Sequence, residues 1–274
     1  MITYTQYKPA EALAHLIECY WVCRAPAMTM SPLERLIPGG RAELIFYFGN
    51  AMQFLLSDDL LPGSIVPDTF IMGQRSHIYY TRQNGATDLL GVRFKPGGIS
   101  LLAKMPAADM LNKIVPAGEV LDMAVENWKA RLLEKKKDAE RIYLLDQLIT
   151  QILKVPTNEW LACNKTVETI RHKDHITVNA LCNENEFYYK KLERAFLQNI
   201  GYTPKYYQRI VRFNKAIRQM QANQNSLTSI CYDCGYYDQS HFIKDFRQFA
   251  GTRPKQFQAE NHTIADFLIH HQAV

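Results

Sequence analysis

Residues 230–257 read ICYDCGYYDQSHFIKDFRQFAGTRPKQF, and this stretch decides the fold of the C-terminal part of the chain. Cys234-Gly235 is a turn signal, and Phe242, Phe246 and Phe249 after it recur at helical spacing. Asp238 is a good N-cap for that helix, and Gly251 sits where a left-handed C-cap costs least. Pro254 suits the first turn of another helix. Short helix, turn, longer helix, stop is the punctuation of a helix-turn-helix.

The same pattern occurs earlier. ALCNE at 180–184 parallels SICYD at 229–233 with an offset of 49. LERAFLQNIGYTPKYYQ at 192–208 parallels FIKDFRQFAGTRPKQFQ at 242–258 with an offset of 50, so one residue is inserted between the two blocks. In the first copy Tyr188, Leu192, Ala195 and Phe196 are expected to form the buried stripe, with Lys190, Glu193 and Arg194 outward. In the second, Gln239, Ser240, His241 and Lys244 are expected outward. Arg and Lys donate to guanine, Gln pairs with adenine and Glu accepts from cytosine, so both sets suit a major groove.

Between the copies, Tyr207, Ile210, Val211, Ile217 and Met220 keep near-helical spacing, with Phe213 at the edge of the stripe. About 18 helical residues span roughly 27 Å, enough to hold two recognition helices about one DNA turn apart. Lys205, Arg209, Arg212, Arg253 and Lys255 are available for phosphates. With about six phosphates engaged, log K falls with log salt at a slope near −5.

Charge is distributed to match. Residues 164–258 hold 15 basic and 8 acidic side chains, a net of +7, whereas residues 1–163 hold 17 of each. The excess positive charge lies in the segment that carries the duplicated unit, which points to a polyanion. The chain of 274 residues has 47% hydrophobic and 22% charged side chains, as in a soluble globular protein. No apolar run is long enough for a membrane span, and MITYTQYKPAEAL has no signal-peptide pattern, so a cytoplasmic protein is expected.

Residues 1 to about 115 read as short strands and turns. RAELIFYFGN, TFIMGQ and DLLGVRF are strand-like; LLPGS, RQNGAT and FKPGG carry turn chemistry; HLIECYWV reads as strand or helix. Val120, Leu121, Ala124, Trp128 and Leu132 fit one helix. Ile142, Leu145, Leu148, Ile149 and Ile152 fit a second, with EKKKDAE as a solvated corner between them. KVPTNE reads as a linker, and a further helix is expected from Trp160 to His172. The expected fold class is multidomain α+β. A mainly-β regulatory domain with two linker helices over residues 1–155 precedes an all-α tandem helix-turn-helix domain over 160–260.

On these residues, 160–258 resemble the two-unit DNA-binding domain of the AraC/XylS family of bacterial transcription regulators, most specifically through residues 230–257. The resemblance places recognition helices at about 188–199 and 238–249. It implies base contacts from Lys190, Glu193, Arg194, Gln239, Ser240, His241 and Lys244. It also implies double-stranded DNA and RNA polymerase as partners, and an activator by family habit. Family members usually have Ser where this chain has Tyr188, so Asn183 or Asn185 is a candidate cap that would start the helix earlier. PGGRAELIFYFG and GVRFKPGGISLL resemble, more weakly, a small domain found ahead of this unit in some bacterial regulators. A small-molecule effector and a homodimer both stay open.

Other chemistry finds little support. Cys231 and Cys234 have no partner pair at zinc spacing and read as core packing; Cys19 and Cys23 form one pair without a second. His77, Arg75, Arg82 and Arg93 are candidates for an anionic effector pocket or ordinary strand residues. The chain has no nucleophile elbow, Walker loop, zincin or dinucleotide motif. His270 and His271 lie in the tail. No catalytic residue, metal site or cofactor is expected. The alternative function is an enzyme or repair protein delivered to DNA by the C-terminal unit.

Overall fold

From Ile17 on, the segment HLIECYWV is a strand, and its surroundings explain why periodicity leaves it ambiguous. It opens β2 (Ile17–Met28), which pairs with β1 (Thr3–Tyr7) on one side and β8 (Gly85–Phe94) on the other. Tyr20 and Val22 enter one apolar cluster; Cys19, Trp21 and Cys23 enter another on the opposite face. A strand buried on both faces loses the polar alternation that marks a half-exposed one.

The computed structural model describes residues 3–28, 34–49, 52–55, 67–83, 85–121, 125, 127–173, 176–222 and 226–259, with the backbone alone at 28, 34, 52–55, 82 and 83. The turn expected at LLPGS, Ala124, the Arg82 side chain and the tail histidines His270 and His271 lie outside the described residues.

β4 (Glu43–Tyr47), β6 (Thr69–Met72) and β9 (Ile114–Pro116) complete an antiparallel sheet of order β1-β2-β8-β4-β6-β9. A second sheet has the order β3-β7-β5, from β3 (Glu34–Leu36), β7 (Tyr79–Gln83) and β5 (Met52–Leu55). On one face of the larger sheet, Leu44, Phe46, Val92 and Phe94 pack with Trp128, Leu132, Leu145 and Ile149. On the other, Ile45, Tyr47, Phe70 and Met72 cluster with Leu36 of β3 against them.

The expected helix through Val120 and Leu132 is broken. α1 (Ala117–Val120) ends because Leu121 is extended, with φ −100° and ψ −175°, and fully buried. α2 (Trp128–Leu133) then begins a separate segment. α3 (Asp138–Ile152) follows the basic corner and buries Ile142, Leu145, Leu148 and Ile149. Arg24 of β2 ties it to the sheet, with Nη2 2.6 Å from Asp138 Oδ1. Tyr20 Oη also donates to Asp146 at 2.7 Å.

The C-terminal part is all α: α4 (Asn158–His172), α5 (Val178–Glu184), α6 (Tyr189–Asn199), α7 (Pro204–Gln221), α8 (Leu227–Asp233), α9 (Gln239–Ala250) and α10 (Pro254–Ala259). Their shared core is aromatic. Phe213 is not at the edge of the α7 stripe but at its centre: it is fully buried, its ring 5.3 Å from Phe246 and 5.2 Å from Phe249. The spacer therefore packs directly on the second unit. The described helices include none long and apolar enough to cross a membrane.

Candidate nucleic-acid interface

The two units are built by the same local chemistry. Thr177 caps α5 and Ser226 caps α8, each side-chain oxygen accepting from the backbone N–H three residues on. The turn of the first unit closes with Glu186 N to Asn183 O and Phe187 N to Cys182 O. The second closes with Gly235 N to Tyr232 O and Tyr236 N to Cys231 O, the same pair of bonds. Both turns need a left-handed residue, Gly235 at φ 82° and Glu186 at φ 54°. Glycine adopts this conformation freely; glutamate does so at a steric cost.

The second recognition helix matches expectation: Asp238 caps α9 by accepting from His241 N at 2.7 Å. The first corrects it. Neither Asn183 nor Asn185 caps α6; the N-cap is Tyr188, with no side-chain capping bond. Asn185 instead ends α5, donating from Nδ2 to Leu181 O and Thr166 Oγ1. Tyr188 is not part of the buried stripe either: it is 68% exposed, because the N-cap precedes the helical turn that packs.

On α6, Lys190 and Arg194 are exposed, and Glu193 is half-buried and accepts from Tyr189 Oη at 2.9 Å. Arg194 lies 3.9 Å from Glu159 at a highly exposed site, too loose a pair to hold it. On α9, Gln239, Ser240 and Lys244 are exposed, and Gln239 Nε2 donates to Thr228 Oγ1 at 3.0 Å. His241 is half-buried, its ring edge-on to Tyr236 with centroids 5.3 Å apart. Each helix thus keeps a polar, solvent-facing side opposite an apolar one.

The cations expected to meet phosphates divide. Lys205, Arg253 and Lys255 are exposed. Arg212 donates to Gly235 O at 3.2 Å, which joins the spacer to the second turn. Arg209 is committed elsewhere: Nη2 donates to Asp245 Oδ1 at 2.8 Å and to Gln248 Oε1 at 2.6 Å. Its guanidinium also lies over the Tyr206 and Phe249 rings. Asp245 was not singled out from the sequence. The signal was present, since 242, 245, 246 and 249 are one helical stripe and the first copy has Ala195 at the equivalent place.

The reader is docked on the β domain through its first copy of the Gly-x-x-Pro-Lys motif. Tyr202 Oη donates to Arg75 O at 2.6 Å and Tyr206 Oη to Ser76 O at 2.7 Å. Gly201, at φ 86°, lies with the position of an added Cβ 3.0 Å from Ala107 O, so a larger residue would be strained in its backbone and crowded against that carbonyl. Trp160 Nε1 donates to Gly97 O at 2.9 Å, and Asn214 Nδ2 to Pro38 O at 3.1 Å.

The candidates for an effector pocket are mostly structural. Arg93 is buried with Nε 2.6 Å from Glu43 Oε1, and Arg75 is buried with Nη2 donating to Ile37 O. Burial alone would raise the Glu43 carboxyl, yet Arg93 and Arg75 beside it hold it below the ordinary carboxylate range. His77 packs edge-on to Tyr79. Cys231 and Cys234 are buried, as core packing requires. Cys19 is buried too, and burial raises its thiol to about 11, which disfavours the thiolate. Among the described residues no group of His, Cys, Asp and Glu could hold a metal ion.

Comparison with known proteins finds two family matches and several similar chains. Residues 181–260 match a family described as a helix-turn-helix domain, and residues 5–116 match a domain of unknown function, DUF6597. The chain is similar to the HTH-type transcriptional activator RhaS of Pectobacterium atrosepticum, 28% identical over 87 residues, 32% of this chain and 31% of that protein. RhaS of Escherichia coli O157:H7 is 28% identical over 85 residues, 31% of each chain. The chain thus spans about a third of the length of the curated relatives it matches. A solved structure of ToxT from Vibrio cholerae aligns over 94% of this chain and 98% of that one, with 9% identity and a TM-score of 0.48.

Proposed function

We propose that this chain, a member of the AraC/XylS family through its C-terminal tandem helix-turn-helix domain, is a sequence-specific transcription regulator that reads two adjacent major grooves of double-stranded DNA. Residues 160–260 are the reader and residues 1–155 the regulatory unit, through which an effector controls it. One observation carries this reading. Two turns with identical bonding present two helices whose outward faces are polar, in a segment of net charge +7. Lys190, Glu193 and Arg194 read one groove; Gln239, Ser240, His241 and Lys244 read the other. Lys205, Arg253 and Lys255 hold phosphates. The RhaS relatives are named activators, and on that likeness activation, with RNA polymerase as partner, is extended to this chain. A single chain supplies both readers, so two grooves are reached without a dimer. The cytoplasm, where DNA is accessible, is the compartment that fits.

Selection of bound sites from a random DNA library tests the reading. It should return two short boxes about one helical turn apart. Lys244→Ala and Arg194→Ala should each cost about 1–3 kcal/mol on the selected site and leave binding to random DNA much less affected. Equal losses on both DNAs would remove base reading from those side chains, and a single box would remove one of the two readers.

A further inference from the structure

Two of the side chains set to read bases are held by a hydroxyl in the free protein. Tyr189 Oη donates to Glu193 Oε1 at 2.9 Å, one turn along α6. Gln239 Nε2 donates to Thr228 Oγ1 at 3.0 Å, reaching from the first residue of α9 back to the second residue of α8. By contrast Lys190 and Lys244 are exposed, and the Arg194 pair at 3.9 Å is too loose to orient its guanidinium.

Both bonds leave available the atoms that a base edge needs. A carboxylate only accepts, so with Oε1 bonded to Tyr189, Glu193 keeps Oε2 for an amino group such as cytosine N4. Gln239 has two N–H donors on Nε2. Thr228 takes one, and the other, beside Oε1, matches the N7 and N6 edge of adenine. Holding matters for both. Glu193 is an anion on a surface that meets phosphates, so it is repelled wherever no base amino group faces it. A freely rotating side chain is immobilised on binding, which lowers affinity about three- to tenfold; one already held loses much less.

The two copies reach this result differently. Tyr189 and Gln239 occupy the same position at the offset of 50. The first copy places a support there and the second a reader, and Ile243 stands where the first copy has Glu193. The second reader is therefore supported from the other helix of its unit, and the two units present different edges.

We propose that Tyr189 and Thr228 are positioning residues: Tyr189 sets Glu193 to select cytosine in one box, and Thr228 sets Gln239 to select adenine in the other. The proposal rests on the DNA-reading function above and adds which base two of its side chains choose and what orients them. The two boxes are then not copies of each other.

The test uses the full chain and duplexes that carry the site selected by the wild type, with single base-pair changes through both boxes. Tyr189→Phe keeps the ring and removes the hydroxyl; Thr228→Val keeps the shape and removes the hydroxyl. Tyr189→Phe should lower the preference for cytosine about three- to tenfold at one position of one box. Thr228→Val should lower that for adenine as much at one position of the other box, and Thr228→Ser, which keeps the hydroxyl, should retain it. Against Glu193→Ala and Gln239→Ala backgrounds, the matching support variants should change base preference no further. Unchanged preference in either variant would overturn the proposal, since a bond that only steadies the helix surface moves stability and not base choice. Loss in both boxes from one variant would overturn it too. So would equal weakening on every duplex by Thr228→Val, which would make that hydroxyl a phosphate contact. A wild type that selects no paired boxes removes the DNA-reading function and this inference together; two boxes with variants of unaltered preference remove this inference alone.

Discussion

Arg209→Met separates two roles that a basic residue on the spacer helix can have. A phosphate contact would face DNA; the structure ties Arg209 to Asp245, whose side chain is 2% exposed. Methionine keeps most of the aliphatic stem over the Tyr206 and Phe249 rings and removes the charge. The buried Asp245 carboxylate is then left with the His241 ring, Nε2 at 3.7 Å, as its remaining close partner. Breaking one side of a buried pair costs about 3–5 kcal/mol, because the remaining charge stays desolvated. Arg209 is 23% exposed, so water reaches part of the site, and the lower end, about 3 kcal/mol, is expected. That is a large part of the roughly 5–15 kcal/mol that holds a domain folded.

Urea unfolding measures the loss, and a double-mutant cycle assigns it. Arg209→Met with Asp245→Leu should recover most of the stability, giving a coupling of about 2 kcal/mol or more. Salt titration of DNA binding supplies the contrast. Lys205→Ala and Lys255→Ala, which remove exposed charges, should each shrink the slope of log K against log salt by about 0.9. Arg209→Met should weaken binding by displacing α9 and leave that slope unchanged. A slope reduced by about 0.9 together with an unchanged urea midpoint would falsify the assignment and make Arg209 a phosphate contact.

Three further outcomes are expected. Glu186→Gly should stabilise the first unit by about 0.5–1 kcal/mol in urea unfolding, since it relieves a left-handed glutamate, whereas Gly235→Ala should destabilise the second by about 1 kcal/mol or more. The Asp138 carboxyl is held below its ordinary value of 3.8, chiefly by its hydrogen bond from Arg24, so its contribution is complete above that value and is lost as pH falls through the lower folded value. Asp138→Asn should flatten that acid limb, and an unchanged limb would assign it to other carboxylates. Tyr206→Phe should cost about 1–2 kcal/mol, by leaving the Ser76 carbonyl without its donor, and should raise amide exchange in residues 73–78; unchanged exchange there would place the docking energy elsewhere.

The tandem reader was legible because its signals are local. Asp238, Gly201, Gly251, Pro204 and Pro254 each fix a backbone conformation by their own chemistry, and a repeat doubles every signal. The errors fall where a distant partner decides. Phe213 looks marginal on a helical wheel, but Phe246 and Phe249, more than thirty residues away, fill the space around it. Leu121 continues an apolar period, yet the core draws it inward in an extended conformation and ends α1. Arg209 is one of several arginines in the sequence, and only the fold reveals that a buried aspartate faces it. In the β domain, strands were legible as short apolar runs. The sheet order was not, because antiparallel register depends on pairings such as β2 with β8 that lie about seventy residues apart.

The two copies of the motif differ at the positions that meet the β domain. Tyr202 and Tyr206 of the first copy correspond to Thr252 and Gln256 of the second. Both tyrosines, and neither counterpart, donate to carbonyls of the segment after β6. Tyr206 also accepts from Gln248 Nε2 at 3.0 Å, Gln248 accepts from Arg209, and Arg209 donates to Asp245 one turn from His241. A polar chain therefore runs from Ser76 of the β domain to α9 of the second unit. Ile78, two residues past Ser76, packs against Gly251 at the other end of that helix. A duplicated reader that only bound DNA would not need its copies to diverge there. These contacts give the β domain a hold on both units at once, and any coupling between the domains requires that such contacts differ between states.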